Sequence, residues 1–90
     1  MPRYLVERTF PGGLGLLPNE AGATLARRIV AHNDEEHVTW IHSYVTVKKN
    51  KTFCIYDGPS PDAIRRVAER NGLPVDSITE VRVLDPYFHL

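Results

Sequence analysis

Two strand-like segments separated by a short polar turn constrain this chain more than any other feature. Residues 38–47 and 52–57 are rich in Val, Ile, Thr, Tyr, Phe and Trp, and Lys48-Lys49-Asn50-Lys51 lies between them. β-Branched and aromatic side chains suit a pleated strand, and so short a connection returns the second strand antiparallel to the first. The pair reads as a β-hairpin.

The flanks repeat one pattern on either side of it. Residues 4–10 alternate well enough for a strand, which Pro11-Gly12-Gly13 stops. After a Gly/Leu loop, Pro18-Asn19-Glu20 supplies a capping Asn and an acid in the first turn of a helix. Gly22, Leu25, Ala26, Ile29 and Val30 then recur at helical spacing as far as about Asn33, with Thr24, Arg27 and Arg28 on the opposite face. Beyond the hairpin, Ser60-Pro61-Asp62 is a strong helix start: an N-cap hydroxyl, a proline whose missing N–H does no harm, and an acid against the helix dipole. Ile64, Val67 and Ala68 form its buried stripe, and Asn71-Gly72 ends it. Pro74 prevents its return, and residues 79–84 give a last strand before Asp85-Pro86. The order β-α-β-β-α-β predicts an α+β fold of ferredoxin-like topology. Its four-stranded antiparallel sheet carries both helices on one face and leaves the other bare.

Ninety residues make one domain, 1–90, with a core that buries only about 60 to 65% of the unfolded surface, so a partner surface would help. Eleven basic residues balance eleven acidic ones, which leaves no global positive field to hold nucleic acid or an anionic membrane. No apolar run approaches the length of a membrane span. Met1-Pro2-Arg3 leads straight into a strand pattern rather than a signal sequence, so the expected location is the cytoplasm. The single cysteine, Cys54, excludes an internal disulfide framework and a multi-cysteine zinc site but leaves one thiolate ligand.

Function is expected on the bare face, and alternation assigns side chains to it. Ile41, Val45, Phe53, Ile55, Val81 and Val83 are all odd-numbered and apolar, which makes them the expected helix-side core and puts Trp40, His42, Tyr44, Cys54 and Tyr56 opposite. Even positions face even positions only across an odd-numbered loop. The hairpin is therefore predicted to turn through Lys48-Lys49-Asn50 with Asn50 left-handed, setting Tyr44 opposite Cys54 and His42 opposite Tyr56. On the first strand Val6 is placed in the core, which sends Glu7 to the bare face. In this topology Glu7, Cys54 or Tyr56, and His42 or Tyr44 converge across three neighbouring strands. A carboxylate, an imidazole and a thiol together suit a borderline divalent ion such as nickel, zinc or copper, and equally suit acid–base work. A face with Trp40, Tyr44 and Tyr56 is too apolar to stay wet on so small a monomer. A second copy is expected to cover it and enclose a barrel-like cavity.

The segments Glu7-Arg8-Thr9-Phe10-Pro11, Val38-Thr39-Trp40-Ile41-His42-Ser43-Tyr44-Val45 and Lys51-Thr52-Phe53-Cys54-Ile55-Tyr56 resemble those of a small bacterial family once classed as of unknown function. So does the run from Ala63-Ile64-Arg65 to Gly72-Leu73-Pro74. Members of that family are identified as nickel-binding proteins. The resemblance implies a ferredoxin-like homodimer, a dimeric α/β barrel, that binds nickel. The Trp-x-His-Ser-Tyr and Cys-x-Tyr patterns match the family's position by position; on the convergence argument above, the candidate ligands for such an ion are His42, Glu7 and Cys54, with Tyr44 hydrogen-bonded beside them.

Each of these residues also has a structural reading. Cys54 between Phe53 and Ile55 suits a small buried hydrophobe, and Tyr44 and Tyr56 suit dimer packing with a hydrogen-bonded tip. Glu7 is more demanding, since a carboxylate on a covered face must be paired, hydrogen-bonded, protonated or metal-bound. The charged connection His32, Asp34, Glu35, Glu36, His37 reads as solvated, and the lysine turn as a guard on an edge strand. Two other functions compete with metal binding. One is a small cofactor-free enzyme whose His42 or Glu7 moves a proton on an organic ligand held in the dimer cavity. The other, an RNA-binding module on the same topology, lacks the motif's glycines and a net positive charge.

Overall fold

Tyr4, Val6 and Arg8 point to one side of the first strand and Leu5, Glu7 and Thr9 to the other, and only the first set is buried. That alternation fixes the layers of the molecule. The computed structural model describes residues 1–14 and 20–89. Strand β1 (Arg3–Thr9) is followed by helix α1 (Glu20–Glu35), β2 (Thr39–Val45), β3 (Lys51–Asp57), helix α2 (Pro61–Arg70), β4 (Ser77–Val81) and a short 3-10 turn over Pro86–His89. The strands lie in the order β2-β3-β1-β4, all neighbours antiparallel. This is the expected α+β, ferredoxin-like arrangement, with both helices on one face.

The second helix forms as its sequence dictates. Ser60 is extended and its hydroxyl accepts from the Ala63 N–H at 3.2 Å, Pro61 opens the first turn, and Gly72 follows with a φ of 67° that favours glycine. Ala63, Ile64, Val67 and Ala68 are buried, and most of them pack into one cluster with Tyr4, Val6, Val38, Cys54 and Tyr56 from the sheet. Helix α1 is held less completely. Gly22, Ile29 and Asn33 are buried, whereas Leu25 and Val30 are 41% and 45% exposed, so its buried line is narrower than the expected stripe. The capping role expected of Asn19 lies outside the described residues. The last strand starts earlier than predicted, at Ser77 rather than residue 79, and stops at Val81, which leaves Val83 exposed.

The facing of the hairpin differs from the expectation. Val6 pairs with Cys54 and Tyr4 with Tyr56, so Thr52, Cys54 and Tyr56 join the helix-side core while Phe53 and Ile55 take the open face. Both sets are apolar because β3 is a central strand, and the bulkier set is not the one the helices cover. Val81 follows Phe53 and Ile55, being paired with Arg3 on the open face, and Ile78 takes the core side opposite Val6. The turn is also longer than predicted. The Thr46 N–H donates to the Lys51 carbonyl at 3.0 Å, which leaves residues 47–50 as an even-numbered loop, and Lys49 rather than Asn50 adopts the left-handed conformation (φ 58°). Tyr44 therefore lies opposite Phe53 and His42 opposite Ile55.

A β-bulge completes the correction. Trp40 pairs with Tyr56 and His42 with Ile55, so Ile41 is an extra residue in β2. Before the bulge Trp40 faces the helices, where its indole N–H donates to Ser43 Oγ at 2.8 Å. After it, His42 and Tyr44 face away from them.

Candidate functional site

The open face presents two rows across β1, β3 and β2. One holds Glu7, Phe53 and Tyr44, the next Leu5, Ile55 and His42. Glu7, His42 and Tyr44 thus share this face as the alternation predicted, and Cys54, Tyr56 and Trp40 do not. Cys54 is buried on the helix side, with Sγ 3.6 Å from Thr52 Oγ1, and the sheet separates it from Glu7 and His42. Two strand spacings of about 4.8 Å put the Glu7 and Tyr44 backbones roughly 10 Å apart. Among the described residues, no three His, Cys, Asp or Glu side chains gather where they could hold a metal ion.

Glu7 has the partners that its position demands. Its Oε2 accepts from Ser77 Oγ at 2.5 Å, its Oε1 lies 3.7 Å from Lys51 Nζ, and its backbone carbonyl accepts from the Asp76 N–H at 2.7 Å. Lys51 Nζ also sits 5.5 Å from the centre of the Phe53 ring. His42 is exposed and packs edge-on against Tyr44, the ring centres 5.2 Å apart and the planes at 90°. Tyr44 is 64% exposed. At the other end of the sheet Arg3 holds both oxygens of Asp57, at 2.9 and 3.3 Å, and keeps that carboxyl below its ordinary range.

A second polar feature lies beneath the sheet, where alternation from Val6 would have found it. Arg8 shares the Val6 face, so placing Val6 in the core placed a guanidinium there too. It is only 2% exposed. Its Nη1 donates to the Pro74 carbonyl at 2.7 Å and its Nη2 to the Tyr56 hydroxyl at 3.3 Å, while Nε is buried with no hydrogen-bond partner among the described residues. Burial pushes the Tyr56 phenol above its ordinary 10, against the pull of the Arg8 guanidinium. Arg8, Tyr56 and Cys54 border a partly open cavity of about 460 Å³ between α1 and the sheet, whose other walls include Leu25, Ile29 and Trp40. His42 and Glu7 are not among its walls.

Known proteins bear on this arrangement in three ways. The crystal structure of SCO4226 from Streptomyces coelicolor A3(2) superposes with a TM-score of 0.70 at 21% sequence identity, covering 92% of this chain and 99% of that one, a likeness of fold. No curated protein matches the sequence. The family described as "Nickel responsive protein SCO4226-like" matches residues 4–81, and the chain belongs to that family.

Proposed function

We propose that this chain binds a borderline divalent ion, nickel first, on the open face of its sheet, and that it does so as a homodimer. The observation that carries the proposal is the exposed His42 on the same face as Glu7, in a chain whose family is described as nickel responsive. An imidazole nitrogen and a carboxylate are the donor types that suit such an ion. One copy supplies too few of them in one place, so the ligand set is completed by a second copy. The same pairing would cover the half-buried Phe53 and Ile55 and the exposed Tyr44. His42 and Glu7 are the proposed ligands, with Tyr44 packed against the His42 ring to hold its orientation. Cys54 contributes from neither copy, because its sulfur lies on the helix side. Metal binding at Glu7 would displace Lys51 from the carboxylate, so the site should take up metal more readily once Lys51 is neutralised.

Calorimetric titration of chelator-treated protein with nickel, and separately with zinc, tests the reading. The expected outcome is saturable nickel binding at micromolar or tighter affinity, at least tenfold weaker in His42→Ala and stronger in Lys51→Met. A molar mass of two chains in light scattering should accompany it. Absence of heat with either ion, or an unchanged isotherm for His42→Ala, would remove the open face from consideration.

A further inference from the structure

The cavity on the opposite side of the sheet carries an independent argument, because a buried cation needs an anion. The ion pairs of the described residues join Arg3 to Asp57, Lys51 to Glu7, Arg66 to Glu36 and Arg70 to Glu35, and none includes Arg8. Among the described residues Arg8 donates to two neutral oxygens, and its buried Nε hydrogen has no acceptor. An unpaired charge and an idle donor in a nearly solvent-free position are both unfavourable, and an anionic partner would relieve both. Tyr56 does not supply the negative charge, because burial keeps its phenol protonated to above the ordinary 10. The phenol instead accepts from Arg8, and its own hydrogen, which is turned to the Cys54 sulfur, can be given to a carboxylate, the stronger acceptor.

Next to this guanidinium lies the space for a ligand. The cavity of about 460 Å³ falls within the usual range for small-molecule sites, and its walls are mostly apolar, with Arg8, Tyr56, Ser43 and Thr52 as the polar members. We infer that this cavity binds an organic monocarboxylate with an apolar body, a medium-chain fatty acid or an arylalkanoic acid, its carboxylate on Arg8 and Tyr56 and its body against Leu25, Ile29 and Trp40. The choice of a carboxylate follows from the shape and number of the donors. A guanidinium edge matches two carboxylate oxygens, one phenol adds a third hydrogen bond, and a single cation balances a single negative charge. A phosphate would bring more charge than one arginine offsets. The inference concerns a different face from the metal proposal, and either can fail alone.

Trp40 is the only tryptophan of the chain and borders the cavity, so its fluorescence reports occupancy directly. Octanoate titrated into the protein should shift Trp40 emission saturably and raise the melting temperature, and octanol of the same length should bind at least tenfold more weakly. Arg8→Met should lose octanoate binding tenfold or more while melting higher than the parent without ligand, since it removes the unpaired charge and keeps an unbranched apolar stem in its place. Should Arg8→Met fold poorly, Ile29→Trp fills the cavity without touching Arg8 and should abolish the octanoate-induced melting shift. Equal affinity for octanoate and octanol, no saturable response to octanoate, or octanoate binding that survives both substitutions would overturn the inference.

Discussion

The two helices lie on the same face of the same sheet and are held to it differently. Under α2, Ala63 and Ile64 are wholly buried, and Gly58 comes so close that an added Cβ would stand 3.3 Å from Val38 Cγ2. Under α1, Leu25 and Val30 are part-exposed, Asn33 is buried with no side-chain hydrogen-bond partner among the described residues, and a cavity separates Ile29 from Cys54 and Tyr56. The sequences foreshadow this. The stripe of α2 is Ala-Ile-Val-Ala against β-branched and aromatic strand residues, whereas the α1 line of Gly22, Ala26, Ile29 and Asn33 has one large apolar side chain. Close packing without voids is what makes a core rigid, and it is confined to the α2 half. The comparison teaches that this domain is stabilised mainly by β1, β3 and α2, and that α1 is a looser cover over a space that can be filled.

The largest expected effect breaks the tight half. Ile64→Ala should cost about 3 to 4 kcal/mol in urea unfolding, since the residue is wholly enclosed and its neighbours cannot collapse into the gap. Ile29→Ala, which enlarges a cavity already present, should cost only about 1 kcal/mol. Equal losses at the two sites would erase the distinction between the halves. A smaller effect sharpens the account of α2. Ser60→Ala removes the hydroxyl that accepts from the Ala63 N–H and should cost about 1 kcal/mol, with Ser60→Asp close to neutral. The smallest effect concerns the end of the sheet. Arg3 depresses the Asp57 carboxyl, so the pair's contribution is present above the ordinary carboxylate value of 3.8 and fades as pH falls through the lower folded value. Both groups are largely solvated, which makes the contribution small. Arg3→Met should flatten the acid limb of the stability curve between pH 5 and 2, to an extent that salt reduces. An unchanged acid limb would show that the Asp57 contact is not held in solution.

Element order, the α2 boundaries and the bare-face position of Glu7 were legible because each rested on strong local signals: Ser60-Pro61-Asp62, Asn71-Gly72, and the alternation through Val6. The orientation of β3 was not legible, because Phe53 and Ile55 are larger and more apolar than Thr52 and Cys54 and yet take the open face. Hydrophobic weight decides facing only when one side of a strand is wet, and β3 is apolar on both sides. The bulge at Ile41 was invisible for a similar reason. An extra residue leaves no compositional mark, and it misplaces Trp40 alone; His42 and Tyr44 fall on the expected face because two differences cancel, the reversed facing of β3 and an even loop where an odd one is expected. Arg8 is legible in the same alternation, since it shares the parity of Tyr4 and Val6.

The bulge has a consequence that is genetic in character. A strand is read two residues at a time, as a message is read in threes, and Ile41 is a one-unit insertion in that reading. Loss of its single codon would act on β2 as a frameshift acts on a transcript. Every letter downstream would keep its identity, but the strand would have to put either Trp40 or the pair His42 and Tyr44 on the wrong side of the sheet. Insertions and deletions, more than substitutions, are therefore the changes this edge strand tolerates least, and a relative that lacks the extra residue should be expected to carry its imidazole elsewhere.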